Sequence, residues 1–176
     1  MEKVNKFKLL SVSRITPYKQ FEVIINAIKS LSKKYPHLDL TIVGSSPQSH
    51  YLRYLNKISA KNIRIITSLP DRKLALLYAN SDVYVTADKY LFFGMPILEA
   101  ASYEKPTVAL NYCAASEMIV HNRTGFIANN QSELELYIEK FITEETTKRT
   151  FGKKAYLFSK KFSWNKCAEE WIKILT

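Results

Sequence analysis

Two groups of residues have the types and spacing to hold an anionic, hydroxyl-bearing ligand. Arg14 and Lys19 follow a short apolar run, KLLSV. A guanidinium grips a diphosphate bidentately, and an ammonium acts on the same group as a point charge. The second group lies in FGMPILEA, residues 93–100. Gly94 permits a tight turn and close backbone approach. Pro96 suits a first helical position, where its missing N–H is no loss. The helix it opens aims unpaired N–H groups and a positive dipole end at one spot. Glu99, one turn inside, can accept from the hydroxyls of a ribose diol. The same residues also read as two surface cations in a chain with 26 Lys and Arg, a turn glycine and a helix-surface acid favoured by the dipole. His37, His50 and His121 stand in polar stretches and read as solvated, and no Ser/His/Asp arrangement or metal-ligand spacing stands out.

The elements that must position these residues follow from hydrophobic periodicity. Strands are predicted over 8–12, 38–43, 63–66, 83–86, 107–110 and 124–128, each a short β-branched, aliphatic or aromatic run. A helix is predicted over 20–34, with Phe21, Ile24, Ile25, Ile28 and Leu31 on one stripe. Another, over 48–59, turns Tyr51, Leu52, Leu55 and Ile58 inward, and a third starts at Pro70-Asp71 with Asp71 as its cap. After the helix opened by Gly94, a short one is predicted over 118–120, then one behind a capping box at Ser132 to Glu135. The tail is helical, and Ser163 caps a last helix striped by Trp164, Cys167, Ala168, Trp171 and Leu175. Strands alternating with helices at this rhythm predict an α/β fold: a Rossmann-like, doubly wound parallel sheet with C-terminal helices, in one domain over 1–176. Ligands in such folds bind at the carboxyl ends of the strands.

Composition narrows the classes. A chain of 176 residues with 47% hydrophobic and 24% charged residues can bury a proper core. No apolar run reaches the ~20 residues of a membrane span, and the segment after Met1, EKVNKFKLL, is too polar for a signal peptide. Cys113 and Cys167 are far apart without metal-site spacing, so a reduced, cytoplasmic setting and no metal are expected. A net charge of +10 is compatible with nucleic acid, an anionic membrane surface or a phosphorylated small ligand. The densest basic cluster, Lys148 to Lys166, lacks an RNA-binding aromatic signature and reads as a solvated helix face, with a membrane-surface patch as the minority reading; no nucleic-acid partner is expected.

Taken in order, Arg14 and Lys19, FGMPILEA (93–100), EKPTVA (104–109), NRTGFIA (122–128) and the closing KKFSWNKCAEEWIKIL resemble the C-terminal, donor-binding half of a retaining GT-B glycosyltransferase of group 1, family 4. The resemblance spans nearly the whole chain. It implies that Arg14 and Lys19 grip the donor diphosphate and that the backbone of Phe93, Gly94 and Met95 meets the phosphates at the helix N-terminus. Glu99 would hold the ribose as the second acid of an E-x7-E motif, and the Ile66 backbone would lie near the base. It further implies a nucleotide-diphosphate sugar as donor substrate, hexosyl transfer to a glycan or lipid-linked acceptor without a metal cofactor, and stabilisation of the departing nucleotide by the cations and the dipole.

The chain departs from that pattern at informative places. The first acid of the motif falls on Leu91, with Asp88 nearby but offset. The family's glycine after the loop lysine is Gln20, and its Gly-Gly falls on Cys113-Ala114, with Glu117 retained. The N-terminal acceptor domain is absent from this sequence, so either that domain or a separate partner polypeptide would complete the cleft, and part of the last helix would be an interface. A non-catalytic nucleotide- or protein-binding module is the alternative.

Overall fold

The structure, a computed structural model, describes residues 6–175. The polar opening segment assessed as a leader lies in part outside them, at residues 1–5. Six strands form one parallel sheet: β1 (Phe7–Val12), β2 (Leu38–Val43), β3 (Ile63–Ile66), β4 (Val83–Thr86), β5 (Thr107–Leu110) and β6 (Gly125–Ala128), in the order β3-β2-β1-β4-β5-β6. The chain winds outward from β1 in one direction, then returns and winds outward from β4 in the other. The predicted doubly wound sheet is therefore present, and its switch point lies between β1 and β4.

Because side chains alternate along a strand, each strand supplies both faces. Leu9, Leu40, Val83, Val85 and Val108 pack on one side beneath α1 (Phe21–Ser32), α2 (Ser49–Ile58), α6 (Gln131–Thr143) and Phe151 of α7 (Glu145–Ser159). Leu10, Val43, Tyr84 and Ala109 pack on the other, beneath α3 (Asp71–Asn80), α4 (Met95–Ser102) and α5 (Ala115–Met118). The predicted stripe of α1 is buried in full.

Local chemistry moved several helix ends. The cap of α6 is Asn130, whose side chain accepts from Glu133 N–H, while the Glu133 carboxylate accepts from Asn129 N–H at 2.9 Å; the box sits two residues earlier than Ser132. Asp71 does not cap α3: it occupies the first turn, where its charge meets the dipole, and Pro70 takes the cap position without a side-chain bond. The short helix ends at Met118 rather than starting there, because Val120 N–H donates to Thr124 Oγ1 at 2.9 Å and turns the chain toward β6. His50, read as solvated, is exposed in the first turn of α2.

The last helix, α8 (Trp164–Leu175), starts as predicted with Ser163 Oγ accepting from Lys166 N–H, but it buries none of its side chains. Trp164 is 87% exposed and Leu175 77%. No helix among the described residues is long and apolar enough to cross a membrane.

Candidate functional site

The loop after β1 and the loop after β4 meet at the switch point. The first turns through a short 3-10 segment at Pro17–Lys19 and enters α1 with Gln20 in the left-handed region, at φ 49°. The second carries Asp88 to Gly94. They are stitched together by an ion pair between Lys19 and the buried Asp88 and by Lys89 N–H donating to Tyr18 C=O at 2.9 Å. The other Asp88 oxygen accepts from Tyr90 N–H at 3.0 Å. A third loop adds Ala114 N–H to Leu91 C=O at 2.9 Å and Cys113 Sγ to Lys89 C=O at 3.4 Å. A loop tethered at this many points presents its side chains in fixed positions.

Arg14 is exposed, and its guanidinium makes no ion pair or hydrogen bond among the described residues, while its carbonyl accepts from Thr16 N–H at 3.0 Å. It shares a cleft of about 360 Å³ with Lys19, Tyr18, Tyr90 and Phe92. Two cations face one buried anion here, which leaves a net positive charge for a ligand.

The α4 N-terminus completes this edge. Gly94 is its cap at φ 88°, a conformation L side chains rarely adopt. A Cβ there would also press on Met118, Ile97 and Leu91 at 3.2 to 3.4 Å. Pro96 has no N–H, and Ile97 N–H donates back to Gly94 C=O at 2.9 Å, so the Met95 N–H is the first-turn amide left without an intrahelical acceptor. Phe93 and Met95 flank it, both exposed, with the Phe93 ring set edge-on to Phe162 at 6.0 Å. One turn in, Glu99 is half-buried and accepts from Tyr78 Oη at 2.7 Å. Burial, then the neighbouring Tyr84 and Glu99, drive the Tyr78 pKa far above its usual value, so the phenol keeps its proton and stays a donor. Tyr78 stacks on Tyr103 at 5.8 Å, which fixes Glu99 against a packed aromatic pair.

Ile66 ends β3, two strands out from the switch point on the other arm, and its carbonyl accepts from Gly44 N–H at 3.0 Å. Gly44 is required there because a Cβ would lie 1.7 Å from Ser13 C=O. Arg14, Lys19, Gly94 and Glu99 thus share the carboxyl edge near β1 and β4, and Ile66 stands apart from them.

Three departures noted in the sequence have a structural explanation. Leu91 is buried, 6% exposed, in the apolar cluster with Ile97, Leu98 and Met118. Gln20 and Cys113 both keep positive φ, 49° and 47°, so the backbone holds a shape that suits glycine without having it. Sequence reasoning missed Asp88 as the partner of Lys19, and Tyr18, Tyr90 and Phe92 as cleft walls; the run of rings between Tyr90 and Phe93 in an otherwise turn-like stretch was the available signal. Buried Thr16 Oγ1, Gln20 Oε1 and Ser46 Oγ, in the loops after β1 and β2, lack a partner among the described residues.

The opposite edge of the sheet is also charged. There Lys148, read in the sequence as solvated, is buried and bridges Asp82 and Glu145 at 2.7 Å each. A cavity of about 250 Å³ beside it is lined by both signs, including Lys105, Arg149 and Glu104. Among the described residues no group of three His, Cys, Asp or Glu side chains is placed to hold a metal ion.

Residues 2–158 match the family model described as "Glycosyl transferases group 1". An uncharacterized glycosyltransferase of Haemophilus influenzae is 26% identical over 99% of this chain and 50% of its own length. A D-inositol 3-phosphate glycosyltransferase of an Arthrobacter species is 28% identical over 93% of this chain and 41% of its own. The chain spans about half the length of the curated relatives it matches. Among solved structures, Anabaena Alr3699/HepE in complex with UDP and glucose superposes with a TM-score of 0.84 at 20% identity, over 97% of this chain and 48% of that one. The C-terminal domain of a group 1 glycosyl transferase (LpcC) of Francisella tularensis gives 0.74 at 19% identity, over 88% and 85%.

Proposed function

The chain belongs to the glycosyl transferases group 1 family, and from that premise we propose that it is the nucleotide-sugar donor domain of a retaining GT-B enzyme of family 4. The observation that carries this reading is the juxtaposition of unpaired Arg14 and the pinned Lys19 with the Gly94-opened N-terminus of α4 at the switch point. Arg14 takes the diphosphate bidentately, Lys19 adds a second positive charge, and the α4 amides approach from the other side. As the glycosidic bond breaks, negative charge grows on the leaving diphosphate, and these fixed groups stabilise it where it develops. No metal is needed for that step in this reading. Glu99, oriented by Tyr78, holds the ribose, and the β3 end at Ile66 lies toward the base.

The reaction proposed is transfer of a hexose to a glycan or lipid-linked acceptor, on the cytoplasmic side and at most peripherally on an anionic membrane. An N-terminal acceptor domain, or a separate polypeptide, completes the cleft. The superposed Francisella domain is itself, by its own description, a C-terminal domain, and the relatives are about twice as long as this chain. The exposed apolar face of α8 is the surface proposed to meet that second half. Buried Leu91 favours a second reading, a nucleotide- or protein-binding module without catalysis, because no carboxylate stands at that position for a sugar.

Calorimetric titration with UDP and GDP tests the proposal. One nucleotide is expected to bind, and binding is expected to vanish in Arg14→Ala/Lys19→Ala. Equal binding by wild type and double mutant would reject the donor site.

A further inference from the structure

Three aromatic side chains surround the two cleft cations: Tyr18 from the loop after β1, and Tyr90 and Phe92 from the loop after β4. Tyr18 and Tyr90 lie 5.8 Å apart, and Tyr90 and Phe92 are stacked at 6.4 Å with ring planes 16° apart. Phe92 is 84% exposed and Tyr90 49%. Aromatic rings left this open keep an unfavourable contact with water that packing within the fold has not relieved. They are also not loose, because backbone bonds to Asp88, Tyr18 and Ala114 fix the loop on both sides of them. Meanwhile Leu91, between Tyr90 and Phe92, points into the core. The loop therefore lines the cleft with aromatic rings at these positions, while Leu91 is turned away from it.

We propose that Tyr18, Tyr90 and Phe92 form a stacking subsite for the pyranose ring of the donor, beside the diphosphate held by Arg14 and Lys19. This rests on the donor-site reading and adds how the sugar is chosen. The face of an aromatic ring is electron-rich, and the C–H bonds of a pyranose carry slight positive charge at hydrogen. A sugar with equatorial hydroxyls presents a face of axial C–H bonds, and such a face lies flat on a ring. A hydroxyl pointed at the ring would be desolvated without an acceptor. The subsite thus selects hexoses by the shape and polarity of one face, with gluco-configured rings fitting well, where a carboxylate would select by hydroxyl position.

The test compares each nucleotide with its sugar adduct on the whole chain: UDP with UDP-glucose, and GDP with GDP-glucose. With the matching base, the sugar is expected to raise affinity in the wild type. In Tyr90→Ala/Phe92→Ala the nucleotide is expected to bind within about twofold of wild type, since the Tyr90 and Leu91 tethers are backbone bonds, while the sugar increment falls by about three- to tenfold. Tyr90→Phe/Phe92→Trp, which keeps ring faces, is expected to retain the increment, and Tyr90→Leu/Phe92→Leu to lose it. An unchanged increment in the alanine variant overturns the subsite and leaves the donor site standing. Equal losses for nucleotide and sugar nucleotide also overturn it, by assigning the rings to the phosphate site. Failure of every nucleotide to bind wild type removes the donor-site reading and this inference together.

Discussion

Strand β4 has an aspartate near each end, and each one pairs with a lysine from a distant part of the chain, yet the two pairs sit in opposite settings. At the amino edge, Lys148 meets two carboxylates, Asp82 and Glu145, and lies over the Phe7 ring at 4.9 Å. Asp82 also accepts from Lys8 N–H at 2.8 Å. Donors and acceptors match there, and the result is a brace between α7 and the sheet. At the carboxyl edge, Asp88 alone faces Lys19 and the nearby Arg14, with exposed rings around them. The same pairing chemistry therefore gives a structural joint where one cation is held by two carboxylates, and an open edge where one cation is left over.

The most direct way to break this comparison is to remove the surplus charge. Arg14→Ala/Lys19→Ala is expected to weaken nucleotide affinity by more than about 100-fold, from two charge-assisted bonds of about 1.5–3 kcal/mol each, and to lower the melting temperature, because buried Asp88 loses its ion-pair partner; calorimetry and thermal unfolding check both halves. Arg14→Ala alone is expected to weaken binding with little change in melting temperature. Next, Leu91→Glu asks whether this edge accepts another acid. The position is closed by core side chains, so the variant is expected to lose about 3 kcal/mol of stability in urea titration without gaining transfer activity.

At the opposite edge, Lys148→Met is expected to cost about 2 kcal/mol and leave nucleotide binding unchanged. The figure is below that for a fully buried pair because Asp82 is 28% and Glu145 65% exposed, and Asp82 keeps the Lys8 N–H. Burial acts to lower the Lys148 pKa, but the hydrogen bonds to Asp82 and Glu145 outweigh it and leave the value raised above 10.5. The stabilisation is therefore present in full below pH 10.5 and is lost as pH climbs through the higher folded value. A pH series of wild type against Lys148→Met should show the gap closing as pH climbs through that alkaline range.

Smaller effects sharpen the picture. Gln20→Gly is expected to stabilise by about 0.5–1 kcal/mol: relief of a left-handed side chain, about 1–2 kcal/mol, less the added freedom of unfolded glycine, about 0.4–1 kcal/mol. Removing α8 should move the melting temperature by no more than about 1–2 °C, since surface changes lie within about 0.5 kcal/mol and the helix buries no side chain.

Much of this molecule was legible in its residues because the signals are local. Runs such as LDLTIV and VYVT read as buried strands, the spacing of Phe21, Ile24, Ile25, Ile28 and Leu31 as a helix stripe, and Gly94-Met95-Pro96 as a helix mouth beside cations. Those patterns suffice for a parallel α/β sheet, and the ordered motifs carried the resemblance to the group 1 family that the match over residues 2–158 shows. Other features were decided only when the chain closed. Lys19 and Asp88 are 69 residues apart, and Lys148 and Asp82 are 66, so whether either lysine is solvated or paired depends on which strand ends the sheet order brings together. The inward turn of Leu91 and the outward turn of Tyr90 and Phe92 depend likewise on the tether from Ala114. Hydrophobic period and turn chemistry act over a few residues, whereas charge balance and side-chain direction at an edge are set by neighbours that only the tertiary fold supplies.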